Sequence, residues 1–193
     1  VFVGIDQSLT NFAAVALKGS DDPEPVHLTV KPKSKGVRRL WDLREELSAW
    51  LERLGPVEHI TMEAYAFRQQ MGHSLGECGG MVKLALADLY GLENQNAYPS
   101  IVKIQHLKMF AGLAGNAQKN LILKAVFQKW GQDYNDDNLA DAYVLAQIAA
   151  SLTIGARFEY EKTVLAKIAE HTEWELPKSS PRRTTAAKRT SSG

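Results

Sequence analysis

Apolar positions along the chain switch between a period of two and a period near 3.6, and the switches lay out an order of elements. VFVGID at the start is a short β-rich run with Gly4 inside it, QSLTN is turn-like, and FAAVALKG is a second apolar run closed by Gly19, so the first 19 residues predict a hairpin. SDDPEP is a loop, and VHLTVKP alternates as a half-exposed strand should, with Val26, Leu28 and Val30 on one face. After KSKG, residues 37–54 carry Leu40, Leu43, Leu47, Trp50, Leu51 and Leu54 in one helical stripe, which Gly55-Pro56 stops. HITMEAYAF (59–67) reads as a buried strand running into a loop. Residues 74–92 predict a helix from about Gly79 onward, apolar around nearly its whole circumference, so it is expected to be a central core helix or one shared between core and subunit interface. NQNAYPSIVKI is a strand-and-turn unit in which Pro99 limits pairing. Helices are predicted over 118–130, from about Asn138 past Ala150, and over 158–171. Three strands, helix, strand, helix, strand and then helices indicate an α/β layer structure on a mixed five-stranded sheet flanked by helices.

Composition narrows the class. The chain has 193 residues, 45% apolar and 23% charged, which suits one globular domain, placed at 1–176. No apolar run approaches the ~20 residues of a membrane helix, so no membrane contact is expected. The beginning reads as a strand rather than a signal peptide, and Cys78 is the only cysteine. Secretion and a disulfide framework are not expected; a reducing, cytoplasmic compartment is. The net charge of +1 hides an asymmetry: residues 177–193 carry five bases and no acid, whereas residues 1–176 hold 18 bases against 22 acids, a net −4. A basic, flexible tail poor in apolar groups commonly marks contact with a polyanion, though it also serves solubility.

Three acidic features bear on chemistry. Asp6 ends the first apolar run, Glu63 stands inside an apolar strand, and Asp137 and Asp141 stack four residues apart at the start of the late helix. Asp136, Asp137 and Asn138 also suit a helix cap, and Asp6 suits a turn. Glu63 has no ordinary structural role, because burial penalises a lone carboxylate. If the acids converge they repel, and a hard divalent cation, Mg²⁺ or Mn²⁺, resolves the conflict. Two such ions ~4 Å apart would clamp a phosphodiester displacement.

GIDQSLTNFAAVAL, ITMEAYAF and DDNLADAYVLAQIA, in this order, resemble the three acidic motifs of the RuvC-type Holliday junction resolvases, in the ribonuclease H-like superfamily. LGECGGM (75–81), YPSIVKI (98–104) and GNAQK (115–119) extend the likeness, which spans about residues 3–150. The resemblance implies a ribonuclease H-like fold with Asp6, Glu63 and Asp141 as ligands of two Mg²⁺ ions, Mn²⁺ being a possible substitute. For a fourth ligand, the best-known bacterial members place an acid three residues before the last aspartate, where this chain has Asn138. Phage-encoded relatives often show D-N-x-A-D, which fits Asp137; Asp137 is chosen over Asn138 and Asp136, and the departure points to a phage-type member. Lys103 and Lys119 match family lysines near the scissile phosphate, Lys119 as a catalytic cation, although any lysine alone reads as solvated surface. Phe67 and Arg68 lie on the loop after Glu63, where the family carries a junction wedge. That wedge stands three residues after the glutamate and Phe67 four, so Phe67 also reads as a core anchor. Lys33, Lys35, Arg38 and Arg39 form a basic patch that is either a solvated helix start or a phosphate contact.

The implied activity is metal-dependent hydrolysis of DNA at four-way junctions or other branched DNA by a crossover junction endodeoxyribonuclease, working as a homodimer in a bacterial or phage-infected cytoplasm. The helix at 81–92 is then the expected dimer contact. Rival readings are a nuclease of the same fold acting on RNA–DNA hybrids or on flap and fork DNA, and a non-catalytic junction-binding protein. An actin-like ATPase would need Gly-rich phosphate loops that the sequence lacks.

Overall fold

In a computed structural model, residues 1–64 and 72–169 are described. Five strands form one sheet: β1 (Phe2–Asp6), β2 (Phe12–Leu17), β3 (Val26–Val30), β4 (His59–Glu63) and β5 (Ser100–Val102). Their order is β3-β2-β1-β4-β5, with β1–β2 and β2–β3 antiparallel and β1–β4 and β4–β5 parallel. The hairpin needs only a short turn, whereas the parallel strands are reached through helices. These are α1 (Gly36–Arg53), α2 (Gly72–Tyr90), α3 (Ile104–Phe110), α4 (Leu121–Trp130), α5 (Asp137–Ile154) and α6 (Glu159–Ala169).

Side-chain alternation divides the sheet into two apolar layers. Val3, Ile5, Phe12, Ala14, Ile60 and Met62 point to α1 and α2, where Leu43, Leu47, Leu51, Val82 and Leu86 meet them. Ala13, Val15, Leu17 and Val102 point the other way, into a core built by α3, α4, α5 and α6 around Phe110, Val126, Tyr143, Leu145 and Val164.

Gly4 explains how closely α5 lies on the sheet. A Cβ built there would stand 2.2 Å from Ala142 O and Ala146 N. Thr61 Oγ on β4 donates to Leu145 O at 2.7 Å across the same contact. Helix and sheet touch backbone to backbone because β1 offers a glycine and α5 offers alanines.

The elements depart from expectation at three places. The all-round buried helix is α5, in which every residue from Ala140 to Ser151 is buried, whereas α2 leaves Leu84 65% exposed. α2 also starts at Gly72, ahead of Gly79, in spite of the weak helix propensity of Gly76, Gly79 and Gly80. The strand after Pro99 is only three residues, and the apolar residues behind it form α3 instead. The strand from His59 ends at Glu63, in keeping with a strand that runs into a loop; the loop enters residues 65–71, and these, with Phe67, Arg68 and the basic tail, lie outside the described residues. Among the described residues no single helix is long and apolar enough to cross a membrane.

Candidate active site

The parallel register of β1 and β4 places two carboxylates side by side. Ile5 pairs with Met62, so Asp6 and Glu63 follow as the last residues of adjacent strands. Asp6 shares the face of Gly4, and Glu63 shares the face of Thr61, so both side chains lie on the α5 side of the sheet. From above, the first turns of α5 bring Asp141, which is 2% exposed. Strand ends and a helix start thus converge from three distant stretches of sequence.

Their electrostatics show how close the three acids are. Asp6 is held well above the usual carboxylate range by burial, by the charges of Glu63 and Asp141, and by a side-chain hydrogen bond with Glu63. Burial also raises Glu63, although the bond from Asp6 and the cations Lys119 and Lys108 pull it down. Burial and the Glu63 charge push Asp141 up to about 7, against the pull of Lys119. Carboxylates that raise one another in this way favour a bound proton or a cation between them. Beside them Gln7 is 5% exposed and donates from Nε2 to Glu63 O at 2.8 Å; its Oε1 has no hydrogen-bond partner among the described residues.

The rim is built on the start of α5. Asp136 caps the helix, accepting from Asn138 N–H at 3.0 Å and from Asn11 Nδ2 at 2.9 and 3.1 Å. Burial works to raise its carboxyl, but those bonds outweigh it and lower the pKa. Asn138 turns to Asn11, donating Nδ2 to its backbone oxygen at 2.7 Å. Asp137 takes the Lys119 ammonium at 3.0 Å, and Lys119 also donates to Asn138 Oδ1 at 3.1 Å. Desolvation works to lower the Lys119 pKa, and the bond and charge of Asp137 raise it beyond that. Of the acids weighed as a fourth ligand, Asp137 acts electrostatically on Asp141, whereas Asp136 is spent on the cap.

Lys103 stands at the junction of β5 and α3, one residue past Val102, the partner of Glu63. The lysines that act on Glu63 and Asp141 are Lys119 and Lys108. Lys108 was missed because the sequence reading assigned no element between residues 104 and 118; as part of α3 its Nζ reaches Ala117 O at 2.6 Å. Gln7 was passed over as a turn residue.

The donor set suits a hard, oxygen-preferring cation: carboxylates that raise one another's pKa, an acceptor oxygen without a partner, and no thiol or imidazole among them. Among the described residues, no three acidic, His or Cys side chains are already drawn together at metal-holding spacing. The chemistry fits, and the groups are gathered without being closed around a centre.

Comparison with solved structures gives this geometry a setting. The structure of Thermus thermophilus RuvC superposes with a TM-score of 0.61 at 22% identity, covering 79% of this chain and 95% of that one. The chain has the RuvC fold. T. thermophilus RuvC in complex with Holliday junction substrate matches with a TM-score of 0.56 at 22% identity, covering 76% of this chain and 92% of that one. The mixed sheet and flanking helices are thus a ribonuclease H-like fold, as the sequence led us to expect. No protein-family model matches the sequence, and no curated protein matches it.

Proposed function

We propose that this chain is a metal-dependent endonuclease that hydrolyses DNA phosphodiesters at Holliday junctions or other branched DNA. The observation that carries the reading is the meeting of Asp6, Glu63 and Asp141 at one end of a sheet whose fold is shared with a protein solved on a Holliday junction. Asp6, Glu63 and Asp141, with Asp137 at the rim, would hold two Mg²⁺ ions, or Mn²⁺ in their place. Bound metal supplies the positive charge that activates water and stabilises the leaving oxygen.

The chain's own groups do the rest. Burial keeps water away from Asp6 and Asp141, which strengthens each charge interaction inside the site. Gln7 ties the end of β1 to the end of β4 and so fixes the spacing of the two carboxylates. Lys119 and Lys108 offset negative charge brought by a phosphate. Asp137 and Asn138 hold the Lys119 ammonium in place.

Paired cuts in a four-way junction require two centres, and a homodimer would supply them. On the outer face of α1 and α2, Trp41 and Leu84 are exposed around the Arg44–Asp88 ion pair, offering a contact surface for a second copy. Residues 1–176 would form the nuclease domain, with Phe67, Arg68 and Lys103 on the DNA side.

A cleavage assay with Mg²⁺ on four-way, flap, RNA–DNA hybrid and linear duplex substrates tests the reading. The expected outcome is paired symmetric nicks in the four-way junction, lost by more than ~100-fold in Glu63→Gln while junction binding persists. Equal activity of Glu63→Gln and wild type would overturn it, and preferential cutting of the hybrid would move the substrate to RNA–DNA.

A further inference from the structure

The segment between β3 and α1, together with the first turn of α1, carries Lys31, Lys33, Lys35, Arg38 and Arg39 within nine residues, and the nuclease reading makes no use of it. Its position follows from the sheet register. Asp6 pairs with Ala13, Ala13 pairs with Thr29, and Phe12 pairs with Val30. β3 therefore leaves the sheet at the end that carries Asp6 and Glu63, two strand spacings or ~10 Å to the side of Asp6. At its start the charge of Lys31 acts on Asp136 at the head of α5, and at its end the charge of Arg39 acts on Cys78 of α2. The strap thus passes across the edge of the sheet from one helix layer to the other, alongside the acidic centre.

Its local structure presents the lysines outward. Exposure alternates from residue 31 to residue 35: Lys31, Lys33 and Lys35 are exposed, while Pro32 and Ser34 are half-buried. In an extended strap this puts a positive charge every ~6.6 Å along one side. Ser34 Oγ donates to Asp42 Oδ2 at 2.6 Å and Arg38 Nε donates to Asp42 Oδ1 at 2.8 Å, which staples the strap to α1. Lys33 and Lys35 make no ion pair with any described residue. The first turn of α1 holds Arg38 and Arg39 and no acid, the reverse of what the helix dipole favours. Asp42 answers Arg38 alone, so the remaining positive charge of the strap is left for an external anion.

We infer that this strap is a second DNA contact, a phosphate track that holds the duplex arm beside the cut strand. The inference rests on the branched-DNA reading above and adds the surface that engages the arm. With one phosphate per ~3.4 Å of duplex axis on each strand, a track ~10 Å from Asp6 meets the backbone about three nucleotides away. The strap reads charge and spacing, so it sets position and affinity rather than sequence preference.

The test is equilibrium binding of the full chain, in EDTA, to a fluorescent four-way junction with arms of about two helical turns, ~20 base pairs. Wild type, Lys33→Ala/Lys35→Ala and the control Lys162→Ala/Lys167→Ala on α6 are compared across a salt series. The strap pair is expected to weaken binding about tenfold at low salt and to reduce the slope of log affinity against log salt by roughly 1.8. The α6 pair, which removes the same charge, is expected to leave both unchanged, and thermal midpoints should agree among all three. Wild-type affinity and slope in the strap variant, with wild type binding well, would overturn the track and leave the nuclease reading standing. Equal losses in both variants would also overturn it, since net charge alone would then explain them. Failure of wild type to bind junction at any salt would overturn the track and the branched-DNA reading together.

Discussion

Gly4 sits where β1 passes beneath α5, and the missing side chain there decides where Asp141 comes to rest. In the sequence it was visible only as a glycine interrupting an apolar strand, and nothing nearby says which partner comes close. Gly4→Ala has to push α5 away from the sheet, since both atoms in the way are backbone. We expect a loss of about 3 kcal/mol or more by chemical denaturation, together with loss of cleavage; a stable, active variant would show that α5 can lift without cost. Glu63 was legible for the opposite reason: a carboxylate between Met62 and Ala64 is anomalous without any knowledge of the fold. Helix geometry did not separate Asp137 from Asn138, because spacings of three and four share one face, and Asp137 was chosen on the motif likeness. In the structure both take the Lys119 ammonium, and the bond that tells them apart is the one Asn138 donates to Asn11 O.

At the scale of elements, periodicity located α1 to within a residue and placed the hairpin, because those segments bury one face and expose the other. It failed where both faces are covered or where small residues dominate. α5 is buried all round, yet its alanines make it look milder in sequence than α2, whose leucines reach the surface. α6 is fixed by a contact that the sequence did not announce: Lys129 of α4, 15% exposed, pairs with Glu161, 3% exposed, at 2.6 Å. Phe110, Trp130, Phe158 and Tyr160 surround the ammonium, and Glu161 also accepts from the N–H groups of Arg157 and Phe158. Glu161→Ala strands a buried cation, so a loss of about 3–5 kcal/mol is expected. In the same denaturation experiment, Lys129→Met/Glu161→Leu should recover most of it; a double variant as weak as the single one would mean that capping, not the ion pair, holds α6.

For the whole molecule, the clustered acids predict an unusual pH dependence. Asp141 titrates at about 7 in the folded chain, against 3.8 for an unperturbed aspartate, and Asp6 and Glu63 shift in the same direction. The folded state therefore binds more protons than the unfolded one, and this share of stability is complete below about pH 4 and lost as pH rises through about 7. His27 and His59, lowered by burial, tilt stability the other way, so the acid share is read as the difference between wild type and Asp141→Asn. In EDTA, raising the pH from 5 to 8 should stabilise Asp141→Asn relative to wild type, and Mg²⁺ should raise the wild-type Tm more at pH 8 than at pH 5. A difference that does not change with pH would mean that Asp141 is not held protonated. Deleting residues 177–193 should leave the Tm unchanged and weaken DNA binding mainly at low salt; unchanged affinity would make the tail a solubilising end.

By itself the sequence located the hairpin, α1 and the order of most strands and helices, because apolar period is a local property, and it marked acids whose surroundings make them costly to bury. The order of three acidic segments also pointed to the fold, since chain order survives when individual residues drift. Tertiary structure alone decided which acids meet, which lysines answer them, and which helix lies at the centre. Those outcomes depend on strand register, on a glycine beneath a helix and on charges that act through space, and none of these is encoded within a single window of the chain.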